Sequence, residues 1–188
     1  MSNVLITGVP KSGKSTLLER VLDSLSVRKK GFVTKEIRED GQRTGFEIVT
    51  STGERRLLSS THMDSSIKVS RYFVDVSGFN KILPPFFNFD DELLYIDEIG
   101  QMELYADKFQ DLVRLYLDAP NHFLGTFSRV YSHPLIDEIR ERKDVTIFDL
   151  TPENREEMFR KIRTLVSSYK TLEFFRQNYI KNSPSIIN

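Results

Sequence analysis

No cysteine occurs in the sequence. That excludes disulfides, thiolate metal ligands and a cysteine nucleophile, and it leaves the redox compartment unconstrained. Net charge is also absent, because 27 Lys and Arg balance 27 Asp and Glu. This balance argues against a chain-wide nucleic-acid surface, and no nucleic-acid partner is expected. No apolar run approaches the roughly 18 residues of a membrane span, and no basic leader precedes the first apolar stretch. The three histidines, His62, His122 and His133, are dispersed without an i,i+4 pair and make a poor metal site. The expectation is a cytoplasmic protein with no membrane partner. Its 188 residues suit one domain with a single core, expected to be a monomer.

What is present is an alternation of strands and helices. Val4–Thr7 is apolar and stops at Gly8, after which Leu17, Leu18, Val21, Leu22 and Leu25 share one helical face. Gly31–Glu39 and the alternating "TGFEIVTS" read as a hairpin around Asp40-Gly41, with a loop longer than two residues. "RRLLSS" adds a further strand. Residues 61–91 are less regular, with "RYFVDV" strand-like and "LPPFFNFDD" a loop. Then come a buried strand, Leu93–Ile99, and a helix marked by Phe109, Leu112, Val113, Tyr116 and Leu117. A strand "HFLGTF", a short helix "PLIDEIRER" and a last strand "VTIFDL" complete the alternation.

Thr151 and Pro152 have the residue types of N-cap and N1 for a final helix. The pattern predicts one α/β domain over residues 1–167, with a mostly parallel sheet extended by antiparallel hairpins. Residues 168–188 form a tail. Its Leu172, Phe174, Phe175, Tyr179 and Ile180 are too many apolar groups for a solvated end, so a helix docked on the same domain is expected.

Two stretches hold chemistry. Gly8-Val9-Pro10-Lys11-Ser12-Gly13-Lys14-Ser15 fits G-x-x-x-x-G-K-[ST] between a strand and a helix, and nucleotide contacts are expected from Gly8 through Thr16. The glycines let the backbone curl so that successive N–H groups point at a phosphate, and the helix adds its positive end. Lys14 reaches the β- and γ-oxygens, and the Ser15 hydroxyl can ligate Mg²⁺. Lys11 can add charge near the γ-phosphate, although a solvated loop lysine is the ordinary reading. In "LLYIDEIGQMEL", apolar residues deliver Asp97 to a strand end, where a carboxylate can hold the Mg²⁺ shell. Glu98 follows as the candidate that polarises the attacking water. Glu36 on the neighbouring strand is a competing base. Its ordinary reading is a hairpin acid facing a basic side chain. Arg71, with Lys68 beside it, and Arg129 are candidates to neutralise developing charge, set against ordinary surface ion pairs.

Taken in order, "LITGVPKSGKSTL", "GFVTKEIREDGQRTGFEIVT", "KVSRYFVDV", "LLYIDEIGQMEL" and "HPLIDEIRERKDVTIFDLTPENRE" resemble the thermophilic-phosphohydrolase (THEP) type nucleoside-triphosphatase family over roughly Asn3 to Val166. The resemblance implies a three-layer, RecA-like P-loop fold and Mg²⁺-dependent hydrolysis of ATP, GTP and other nucleoside triphosphates. It also brings a suspicion of nucleotide kinase activity. Gly8 through Ser15 match the family's nucleotide-contact segment, and Leu94 through Gln101 match its acidic strand. This chain has Lys11 where glycine is common, and Ser70 where "GRY" is usual. The tail lies outside the resemblance.

Two alternatives stand beside hydrolysis. One is a nucleotide or small-molecule kinase, which requires an acceptor pocket and a closing lid. The other is a nucleotide-controlled binding module. Base preference is not legible, because triphosphate contacts ignore the base and no N-K-x-D motif is present.

Overall fold

The computed structural model describes residues 3–167, so the expected docking of the 168–188 tail lies outside the described residues. Among the described residues nine strands form one sheet: β1 (Asn3–Thr7), β2 (Lys29–Glu39), β3 (Gln42–Thr50), β4 (Arg55–Ser60), β5 (Lys68–Val69), β6 (Tyr72–Val74), β7 (Leu93–Ile99), β8 (Phe123–Phe127) and β9 (Val145–Asp149). They lie in the order β5-β6-β4-β3-β2-β7-β8-β1-β9. Pairing from β2 through β7, β8 and β1 to β9 is parallel. From β2 outward through β3, β4, β6 and β5 it is antiparallel. All the parallel strands therefore end on one edge, where ligands bind in open α/β sheets.

The helices are α1 (Lys14–Asp23), α2 (Val76–Ile82), α3 (Asp107–Asp118) and α4 (Pro134–Glu141), followed by α5 over residues 155–167. Both faces of the sheet are covered, as the period-2 alternation of β1 requires. Val4 and Ile6 point into one core with Leu17, Leu18 and Val21 of α1 and Met158, Ile162 and Val166 of α5. Leu5 points into the other, with residues of α2, α3 and α4. There Phe32, Phe79, Phe86 and Phe109 meet with ring centroids 5.4–6.1 Å apart. Burying an aromatic or leucine side chain is worth about 1.5–3 kcal/mol each, so two filled layers fix the strand ends rigidly. Among the described residues no helix is long and apolar enough to cross a membrane.

Three local expectations are corrected. The β2–β3 loop is only Asp40-Gly41, because φ is 49° at Asp40 and 77° at Gly41, the pair of positive values that a two-residue hairpin turn requires. Thr151 does not cap α5. Residues 152–154 form a turn first, the Thr151 N–H donates to Asn154 Oδ1, and the first helical bond runs from Met158 N–H to the Asn154 carbonyl. The irregular 61–91 stretch contains α2, capped by the Asp75 carboxylate accepting from Gly78 N–H at 2.7 Å, and a 3₁₀ turn at Pro84–Phe87 in the expected loop. His133, expected at a helix start, caps α4 by accepting from Leu135 N–H.

Candidate active site

The loop between β1 and α1 curls through conformations that need glycine. Gly8 has φ 158° and Gly13 φ 98°, and an ideal Cβ at Gly8 would stand 2.7 Å from the Leu150 carbonyl oxygen. Ser12 N–H donates to the Val9 carbonyl, and α1 begins immediately after Gly13. Lys11 and Ser70, the two places where the resembled family commonly has glycine, have φ of 66° and 55°. Both departures thus put a side chain in the left-handed region, at a cost of about 1–2 kcal/mol each.

Lys14 is buried, and its Nζ lies 3.4 Å from the Gly8 carbonyl oxygen, folded back over the loop. The buried hydroxyls of Thr7 and Ser12 have no partner among the described residues. Such groups call for an oxygen-rich ligand or water to complete their bonding.

Asp97, two residues before the end of β7, is 1% exposed. Its Oδ1 accepts from the Thr126 hydroxyl of β8 at 2.5 Å, and the Ser15 hydroxyl also favours the charged carboxylate. Burial pushes its pKa up to about 6 against these two hydroxyls, and the Glu98 charge adds to the rise. A cation between Ser15 and Asp97 would relieve that cost. No group of three or more His, Asp or Glu side chains among the described residues could hold a metal by itself. The pair therefore fits an ion that takes few protein ligands and completes its shell with water and phosphate oxygens, as Mg²⁺ does.

Glu98 is half-buried and lines a cavity of about 350 Å³ with Thr34, Phe46, Met102, Glu103 and Tyr131. Glu36, by contrast, is gripped by Arg38 and Arg43, both at 2.6 Å. Partial burial would raise it, but these hydrogen bonds and charges win and its pKa is lowered, which is wrong for a general base.

The candidate arginines separate. Arg129 follows β8 on the loop's edge of the sheet and pairs with Asp149 at 3.0 Å. Arg71 sits in the β5–β6 turn, next but one to Val69, which lines the Glu98 cavity, and it donates to the Arg43 carbonyl and the Tyr72 hydroxyl. Lys68 lies over the Phe73 ring, and Lys11 is exposed.

Three residues outside the sequence reading join the site. Thr126 is bonded to Asp97. Arg155 donates from Nε to the Ser12 carbonyl at 2.9 Å. Glu103 is 4% exposed and accepts from the Thr34 hydroxyl at 2.9 Å. Burial first, and then the Glu98 charge, push its pKa up to about 8. The acid in "IGQMEL" was the only sequence signal for it.

Because Glu103 keeps its proton in the fold up to about pH 8 but loses it near 4.5 when unfolded, folding takes up a proton between those values. Its stabilisation is complete below pH 4.5 and is lost as pH rises through about 8. Asp97 finishes its own loss near pH 6. The ligand-free protein should therefore lose about 2 kcal/mol, a few degrees of Tm, between pH 6.5 and 8.5. Glu103→Gln should remove most of that slope and raise Tm at pH 8.5. An unchanged slope in thermal melts of the variant would contradict the assignment.

The chain is similar to known proteins over most of its length. A family model described as NTPase matches residues 3–163. The nucleoside-triphosphatase THEP1 of Thermotoga sp. (strain RQ2) is 36% identical over 167 residues, covering 87% of this chain and 94% of its own. The human cancer-related nucleoside-triphosphatase is 38% identical over 184 residues, covering 88% and 97%. The crystal structure of THEP1 from the hyperthermophile Aquifex aeolicus superposes with a TM-score of 0.79 at 36% identity, covering 87% and 98%.

Proposed function

The chain belongs to the nucleoside-triphosphatase family whose members include THEP1, and on that footing we propose how it hydrolyses nucleoside triphosphates and which ones it takes. The substrates are ATP and GTP, the metal is Mg²⁺, and the products are nucleoside diphosphate and phosphate. The observation that carries this reading is the pairing of a phosphate loop that holds a buried Lys14 with the buried, Thr126-bonded Asp97 carboxylate, Glu98 next in sequence lining a cavity.

Loop amides from Gly8 to Thr16 and the Lys14 ammonium neutralise the β- and γ-phosphates. Ser15 and Asp97 hold Mg²⁺, which supplies positive charge to the phosphate oxygens when bound. Glu98 accepts the proton of a water as its oxygen attacks the γ-phosphorus and the bond to the β–γ bridging oxygen breaks. Arg129, flanked by the cavity-lining Ser128 and Val130, would neutralise developing charge once it leaves Asp149; Arg71 would have to leave the Arg43 carbonyl.

These contacts address the triphosphate and not a base edge. ATP and GTP should therefore have kcat/KM within about tenfold of each other, or roughly 1.4 kcal/mol. Steady-state phosphate release with each purine checks this, and a preference above about a thousandfold would reject it. The cavity at Glu98 also favours a second reading, transfer to an acceptor hydroxyl bound there in place of water. Acceptor-stimulated turnover would mark it.

A further inference from the structure

The bound triphosphate must have a direction. The phosphate loop follows β1. Asp97 and Glu98 lie in the last three residues of β7, which is two strands away beyond β8, so the γ-phosphate faces that side. On the opposite side of β1 lies β9, in parallel register with Thr7 beside Asp149. The nucleoside end of the substrate is therefore directed toward the segment after β9, residues 150–155.

That segment is built onto the loop. Leu150 N–H donates to the Thr7 carbonyl at 2.8 Å, and the Asn154 side chain ties Thr151 N–H to the Asp149 carbonyl, both at 2.9 Å. Arg155 then reaches back 143 residues in sequence to donate from Nε to the Ser12 carbonyl. Its guanidinium lies over Gly13, where an ideal Cβ would come within 3.3 Å of Cζ. The helix that holds it is braced on α1, because Arg20 pairs with Glu156 and stacks 3.9 Å over the Phe159 ring.

Arg155 differs from its neighbours in what it leaves unused. It is exposed, and among the described residues it forms no ion pair, whereas Arg129 is held by Asp149 and Arg20 by Glu156. Only Nε is engaged, which fixes the guanidinium plane while leaving a face and both Nη groups without a protein partner among the described residues.

We propose that residues 150–155 hold the nucleoside end of the substrate and that Arg155 stacks its guanidinium plane on the nucleobase. The inference rests on the proposed hydrolysis of ATP and GTP and assigns the part of the nucleotide that the phosphate loop does not touch. A guanidinium face reads a flat π-system and no particular edge. The site thus gains affinity for a base without choosing between purines.

The test uses the full chain as Arg155→Ala and Arg155→Lys, with ATP, GTP and inorganic tripolyphosphate, which has the phosphates but no base. Arg155→Ala should raise KM for both purines about tenfold and change kcat by less than about twofold. Inhibition by Mg²⁺-tripolyphosphate should keep its Ki. Arg155→Lys restores the charge but not the plane, so KM should stay raised. An unchanged KM overturns the proposal. So does an equal loss for tripolyphosphate, which would make Arg155 only a brace for the loop, or a loss confined to one purine, which would mean edge reading. If the wild type hydrolyses neither purine, or tripolyphosphate does not inhibit it, the phosphate-loop reading itself falls, whatever Arg155 does.

Discussion

Replacing Lys14 with alanine is expected to lower kcat/KM for ATP and GTP by at least about a hundredfold, or roughly 2.7 kcal/mol of barrier. The ammonium is buried and folded over the Gly8 carbonyl, so it is held in the loop before any nucleotide arrives. A preorganised charge in a water-poor site is worth far more to a developing anion than the same charge in solvent. The loss should appear in kcat as well as KM, because charge shifts onto the β–γ bridging oxygen as the bond breaks. Steady-state phosphate release at saturating Mg²⁺ measures it, with a thermal melt to show that the variant is folded. Turnover within about threefold of wild type in a folded variant would reject the role.

The sequence made parts of the site legible because their chemistry demands residue types at contiguous positions. Gly8 through Ser15 and Leu93 through Glu98 are such runs, and β1, α1 and β7 lie where those patterns put them. The hairpin loop is shorter than its pattern suggests because Asp40, which is not a glycine, takes a positive φ. α2 escaped because its seven residues are too few to display a periodic face, and its cap comes from Asp75 inside a strand-like run. Glu103 and Arg155 could not be found by pattern. Their meaning comes from contacts 69 and 143 residues away, with Thr34 and Ser12, which only the closed sheet brings together. Glu36 is a local case. Its strand position suits a base, but the hairpin reading holds, with Arg38 two residues on and Arg43 across the turn on its oxygens.

Glu98→Gln is expected to lower hydrolysis by about 10²–10⁴ while leaving nucleotide binding intact. Glutamine keeps the size and a hydrogen-bonding oxygen but cannot accept the proton of the attacking water. Asp97→Asn should behave differently. It weakens the cation's place beside Ser15, so affinity in Mg²⁺ and turnover should fall together. Glu36→Gln should change turnover by less than about threefold, because that carboxylate is already committed to two guanidinium groups. On the proposed mechanism these outcomes would separate a metal task at Asp97 from a proton task at Glu98.

The most direct measurement is a single-turnover reaction with γ-labelled ATP bound to excess enzyme in Mg²⁺, quenched over time and scored for intact ATP, free phosphate and phosphorylated acceptor. The account predicts that wild type releases all the label as free phosphate in one phase. It predicts that Glu98→Gln binds the same amount of ATP and holds it intact at least about a hundred times longer. Phosphate release at the wild-type rate from Glu98→Gln, or label that leaves wild type on an acceptor instead of as phosphate, would contradict it.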